Sequence, residues 1–444
     1  MAPGSYLESV TGPRSQTKCR LELLPTELRI AILFSCPDLD TLRLLVHASP
    51  VYHRAYRRVR QEALLHTLHA EYDGLVEITD AIVAVRSRGL YAVVPSNKEK
   101  IYSLLDQWRR HEEIRRLDLP SARDLPDKPA GFDEIIRLVR LHKIMKFCLN
   151  DFCNTANCPE WIEPARWKTD MLPFSLSRTE KTRFFRALYR VQIYGNIFGH
   201  NEFCVDEKLP LRYRYNSWAD ETFSIDEGCR VFFGTMTPWE FQEFGSAWKY
   251  IKGRYAQPYE EVAALFRGFE LLPMDQFLDK TDPPLPINCA VLDTHDLDRY
   301  RDETQACLAT MGPAFFYKFT RKPDIVHRRD LILVNAWHSW TYFPEMLRWT
   351  DHIFPLFYPV EHFEAWEDWS ESRSQWARLP PSQRPNIACD VTWFTESTNR
   401  RISRPLYAWL VREKYWEWAY AIWDDERLIG WRIPLHKLRS SSRD

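Results

Sequence analysis

Several groups of side chains in this chain are of the kinds that do chemistry, and each such chemistry needs a particular spacing. Val326-His327-Arg328-Arg329-Asp330-Leu331, with Asn335 five residues after the aspartate, has the order of a phosphoryl-transfer loop, in which an Asp orients the substrate hydroxyl and an Asn holds a metal ion. His327 stands one residue too far upstream, no Lys follows Leu331, and neither a Gly-rich phosphate loop nor an Asp-Phe-Gly segment accompanies them. Phosphoryl transfer needs all of these parts, so that chemistry is set aside. His142, Cys148, Cys153 and Cys158 are a zinc set by residue type. Structural zinc takes ligand pairs two to four residues apart, and on one helix a step of five rotates each ligand by about 140 degrees. His66 with His69, and Asp293 with His295 and Asp296, have neither a Glu-bearing zinc motif nor a nucleophile elbow beside them. The expectation is a protein with no catalytic residue, no metal site and no cofactor.

The elements that would position such residues are helical. Ser96 with Glu99, Ser177 with Glu180, and Thr237-Pro238 with Glu240 each place a capping hydroxyl three residues ahead of an acceptor carboxylate, the pattern of a helix start. From Ser177 to Gly199 the residues Phe184, Leu188, Val191 and Phe198 share one face at the helical period, joined by Phe185 and Tyr194. This predicts a helix central to the core. Leu406, Trp409, Leu410, Trp416, Tyr420 and Trp423 follow the same three-and-four spacing and predict another. Strand-like alternation is rare, and no period of 20 to 50 residues signals a solenoid or propeller. Proline-containing breaks at 117 to 131, 277 to 288 and 378 to 386 divide the body into helical blocks. Fold class is therefore mainly α without repeats.

Composition bounds the function classes. The 444 residues, 45% hydrophobic and 27% charged, suit an ordinary folded chain of about two or three domains. With 60 Lys+Arg against 61 Asp+Glu, no whole-molecule field attracts nucleic acid or an anionic membrane. Arg54, Arg57, Arg58 and Arg60 read as a solvated helix face. No secretory signal core and no apolar run near 18 residues occurs, and the ten cysteines are mostly scattered singly, which suits reduced thiols in a cytoplasmic or nuclear protein. The 18 Trp residues, Trp349 beside Arg348 among them, serve core packing first and cation-π contacts second.

Residues 1–19 read as a flexible leader, 20–72 as a small helical module, 73–437 as a helical domain and 438–444 as a polar tail. In the module, Leu24-Pro25 opens a short helix with Leu28 and Ile32 one turn apart. Asp38 is placed to cap a second helix carrying Leu42, Leu45 and Val46, and Ser49-Pro50 opens a long third one that ends near Asp73-Gly74. Leu24-Pro25, Glu27-Leu28, Ile32-Leu33, Leu42 to Val46 and Ser49 stand in the order of an F-box, and the module resembles one over about residues 20 to 65. The chain is also similar, through FFRALYRVQIYGNIFG (184–199), MTPWEFQEFGSAWKYI (236–251) and AIWDDERLIGW (421–431), to an uncharacterised family of filamentous-fungal F-box-like proteins. That resemblance implies a non-enzymatic adaptor. Leu24, Pro25, Leu28, Ile32, Leu42 and Leu45 would face a Skp-type adaptor of a cullin-RING ubiquitin ligase, and the body would hold an unknown protein substrate. Helical periodicity alone suits an intramolecular packing face equally well.

Overall fold

In the computed structural model the chain divides into two compact units, one ending at Asp73 and the other beginning at Gly74. The residues described are 19–117, 127–200, 202, 222–223, 225–233, 236–267, 301–321, 324–335, 379–394 and 414–440. They are mainly α-helical, with no strand among them. At the division Asp73 and Gly74 both take the left-handed conformation (φ 45° and 65°), which ends the preceding helix.

The smaller unit starts with a 3-10 turn at Arg20–Leu23, then α1 (Thr26–Phe34), α2 (Leu39–Ala48), α3 (Pro50–Arg58) and α4 (Arg60–Tyr72). The long third helix predicted from sequence is two helices, because Val59 leaves helical geometry at φ −126°. Its start is as expected. Ser49 caps α3 by accepting from the backbone of Val51 and Tyr52, and Pro50 takes the first helical position. Asp38 caps α2, its side chain accepting from the Thr41 backbone at 2.7 Å. Both α1 and α2 pack on the α3–α4 pair. Between them Leu33, Val46, Tyr52, Ala63 and Leu68 are buried, and the backbone N–H of Leu39 donates to Glu71 at 2.7 Å.

The larger unit contains α5 (Ile78–Arg86), α6 (Lys98–Leu117), α7 (Phe132–Thr155), α8 (Arg178–Ile197), α9 (Ile225–Phe233), α10 (Pro238–Arg254), α11 (Ala256–Arg267), α12 (Arg301–Thr310), α13 (Gly312–Thr320), α14 (Ile325–Asn335), α15 (Ile387–Phe394), α16 (Asp425–Gly430) and α17 (Leu435–Ser440). Helix α8 is the centre, touching α5, α7, α10, α12 and α13. Two of the expected capping boxes are present in full, Ser177 with Glu180 on α8 and Thr237 with Glu240 on α10. Ser96 is different. It lies inside a 3-10 turn, Pro95–Asn97, and α6 opens at Lys98 with no cap from its hydroxyl.

Phe184, Leu188, Val191, Tyr194 and Phe198 are all buried, as their period required. Phe184 stacks on Phe152 of α7 at 4.3 Å, and Tyr194 meets Phe232 and Phe244 at 5.4 and 5.9 Å. The second aromatic stripe behaves otherwise. Trp416, Tyr420 and Trp423 are buried, but Ala419 takes φ 55°, so they project from a series of turns and not from one helix. Leu406, Trp409 and Leu410 lie outside the described residues. So do Asp293, His295, Asp296, Arg348 and Trp349.

Candidate functional site

The residues singled out for docking are distributed unevenly. Leu28 on α1 is 51% exposed and Pro25 is exposed too. Leu24, Ile32 and Leu45 are half-buried. Leu42, 3% exposed, is a core residue of the module. The reason is helical: Leu42 and Val46 are one turn apart on the face of α2 that meets α3 and α4, and both are buried there.

Sequence reasoning missed three exposed leucines of the same unit: Leu21, Leu23 at 65% and Leu44 at 70% exposure. A signal for Leu44 existed in the Leu44-Leu45 pair. Neighbours on a helix point about 100 degrees apart, so a narrow inner face takes one of the two fully. Leu21 and Leu23 belong to the Arg20–Leu23 turn, which has no buried residue. The turn is tied to α3 by the Ser49 hydroxyl donating to Glu22 at 2.6 Å and the Tyr52 hydroxyl donating to the Leu21 carbonyl at 3.3 Å. The outer face of α3 is basic, with Arg54, Arg57, Arg58 and, just after it, Arg60 exposed to solvent.

Among the described residues of the larger unit, titratable groups converge in the interior. Arg183, Arg186 and Arg190, at helical spacing on α8, are all buried. Arg186 grips Glu243 of α10 with two bonds of 2.8 and 2.7 Å and donates to the Ser382 carbonyl at 2.7 Å. Arg190 pairs with Glu240 at 3.0 Å and with Asp80 at 3.5 Å. It also lies 5.6 Å from the Trp108 ring, whose N–H donates to Asp80 at 2.8 Å. Arg183 donates to the carbonyls of Trp423 at 2.9 Å and Pro381 at 2.8 Å. Glu180 accepts from Arg427 at 2.6 and 2.7 Å, and that guanidinium sits among the rings of Phe174, Trp423 and Trp431. Burial pushes the Glu243 carboxyl up against the pull of Arg186 and Arg183. Arg186 loses solvation yet is held above its ordinary range by Glu243 and Glu240. These carboxylates and guanidiniums pair with one another, which is how buried charge is tolerated.

Most of the other chemical candidates are also packed. His142 is buried on α7, its Nδ1 3.1 Å from the Tyr189 hydroxyl and its ring 5.7 Å from Phe185. Burial pushes Cys148 far up from the ordinary thiol range, and Cys153 and Cys158 are raised by burial as well. Among the described residues no group of three or more His, Cys, Asp or Glu is placed to hold a metal ion. The His327-to-Asn335 segment lies within one helix, α14, where Asp330 pairs with Arg329 at 2.7 Å and Asn335 donates to the Leu331 carbonyl at 2.9 Å. His66 and His69 are exposed on α4, His66 stacking on Phe34 at 5.8 Å. A shallow depression of about 350 Å³ beside α6 is lined by Arg86, Glu99, Lys100, Ser103, Leu104 and Gln107, and Arg86 is already tied to Glu134 at 2.7 Å. Among the described residues no helix is long and apolar enough to cross a membrane.

His142 gives a pH prediction. Burial, aided by Lys146, lowers its pKa from 6.5 to about 3, so the folded chain holds it neutral while the unfolded chain protonates it below about pH 6.5. The stabilisation is complete above that pH and is lost at up to about 1.4 kcal/mol per pH unit as pH falls toward 3. Denaturant midpoints of wild type and His142→Gln, measured from pH 7.5 to 4.5, should converge or cross on acidification. Parallel curves would refute the assignment.

No family model, no curated protein and no solved structure matches this chain.

Proposed function

We propose that this chain is a non-enzymatic adaptor, whose first unit docks through an F-box-like module on a Skp-type adaptor of a cullin-RING ubiquitin ligase and whose larger unit recruits a protein substrate. The observation that carries the reading is Leu28. It stands at the module's second Leu position and is half-exposed on α1, with Leu21, Leu23 and Leu44 also exposed in the same small unit. Solvated leucines of this kind gain about 1.5–3 kcal/mol each when a partner groove covers them. Catalysis would then belong to the ligase and not to this chain.

A second reading has its own support. Leu42 is in the core and Leu24, Ile32 and Leu45 are half-covered, which suits a module that uses these residues to hold itself together and serves another role. Calorimetric titration of the whole protein with a purified Skp-type adaptor separates the two. Leu28→Ala should weaken binding by about 10-fold with a smaller shift of the unfolding midpoint than a core leucine would give, because half of its side chain is exposed. No heat and no co-elution with the wild type would remove the adaptor reading.

A further inference from the structure

The chain contains two Ser/Thr-Pro dipeptides, Ser49-Pro50 and Thr237-Pro238, and their surroundings differ. Thr237 is locked in the capping box of α10, its hydroxyl receiving the Glu240 backbone and the Glu240 carboxylate returning to its own N–H. Ser49 has extended backbone (φ −139°, ψ 122°) and its hydroxyl bonds to Glu22. Glu22 belongs to a turn that buries no residue and, among the described residues, is hydrogen-bonded to α3 and its cap through the Ser49 and Tyr52 hydroxyls. Ser49 is only 7% exposed, and the Glu22 carboxylate of that turn sits on its hydroxyl.

The position has backbone donors that suit a phosphate on the serine oxygen. Ser49 is the N-cap of α3, and the N–H groups of Val51 and Tyr52 already point at its hydroxyl at 3.3 and 3.5 Å. A helix start of this kind favours negative charge. Arg54, on the first turns of the same helix, is exposed and donates its Nε to the Pro50 carbonyl at 3.4 Å. A doubly charged phosphoryl group would find the two backbone donors in place. The Glu22 carboxylate, 2.6 Å from the serine oxygen, would meet it as a like charge.

We propose that Ser49 is a phosphorylation site for a proline-directed protein kinase, and that its phosphate displaces the Glu22 carboxylate and frees the Arg20–Leu23 turn. The serine oxygen attacks the γ-phosphorus of ATP. The new O–P bond forms as the bond to the β-phosphate oxygen breaks, ADP leaves, and the hydroxyl proton passes to the kinase base. Release of the turn carries Leu21 and Leu23 away from α3, so the modification changes which leucines the module presents. The inference stands apart from the identity of any docking partner.

The test is labelling of the intact protein with a proline-directed Ser/Thr kinase and ATP, followed by site mapping and hydrogen exchange by mass spectrometry. Phosphate should map to Ser49 and not to Thr237. The amide of Glu22, which donates to the Cys19 carbonyl at 2.8 Å, should exchange about tenfold faster in the phosphorylated protein, since a charge-assisted bond is lost and a repulsion gained. Glu22→Gln should label faster than wild type. The proposal fails if Ser49 stays unlabelled in both proteins while a control substrate is consumed, or if Ser49 is labelled with no change in exchange of the turn. Equal labelling of Thr237 would also count against it, since that marks unfolded chain as the substrate.

Discussion

Arg186→Ala is expected to destabilise the larger unit by about 3–5 kcal/mol, because Glu243 would remain as a buried carboxylate without the partner that holds it with two bonds. The Ser382 carbonyl would lose its donor as well. Hydrogen exchange followed separately in each unit gives the readout, since one unfolding curve for a two-unit chain has no single free energy. Exchange in α8 and α10 should accelerate while α1 to α4 keep their protection. Arg186→Met with Glu243→Met should recover much of the loss, since a buried pair replaced by apolar side chains is often neutral. Arg186→Lys should stay destabilised, because an ammonium lacks the planar fork. A loss below about 0.5 kcal/mol, the range of inert surface changes, would show that the network is not what holds α8 to α10.

Trp423→Ala should cost a similar amount, about 3–5 kcal/mol, for a different reason. Its indole is fully buried, stacked near Phe152 at 5.4 Å and set edge-on to Trp431 at 5.0 Å. Its N–H donates to the Trp418 carbonyl at 2.7 Å. Truncation leaves a large cavity, an unpaired carbonyl and Arg427 without one of its three ring neighbours. Trp161→Ala makes the contrast, since that ring is half-buried and rests edge-on against Trp418 at 4.9 Å. Equal midpoint shifts for the two variants in thermal unfolding would contradict the packing described.

Helix starts were the most legible part of this sequence, because a capping box is written in four consecutive residues. Ser177-to-Glu180 and Thr237-to-Glu240 needed no knowledge of the rest of the chain. What the same carboxylates do next was not legible. Glu180 also holds Arg427, and Glu240 also holds Arg190, through pairings with partners from 50 to 247 residues away that no local pattern encodes. Arg183, Arg186 and Arg190 are interior with no local sign of it in the sequence, since charge burial depends on where a partner arrives from. The stripe at Trp416, Tyr420 and Trp423 gave the correct burial and the wrong element. Large rings meet the core from a turn as readily as from a helix, and the left-handed backbone at Ala419 has no signature in its residue type. In the candidate site, the exposure of Leu28 followed from its place relative to buried Leu33, about 140 degrees away around α1. That of Leu21 and Leu23 depended on a turn that periodicity does not describe.

The bonds from Arg183 to the carbonyls of Ile422 and Trp423 span 239 and 240 residues, and this separation sets an order of events during synthesis. At about 5–20 residues per second, a ribosome that has just made α8 needs on the order of 10–50 s to deliver the segment that accepts those bonds. Until then the guanidinium prefers water, and the central helix of the larger unit resists burial. The first unit, whose contacts close within its own short span, has no such wait. A chain stalled before residue 414 would therefore carry a finished N-terminal unit followed by an apolar, unclosed remainder, which is the form of nascent chain that chaperones hold and proteases remove.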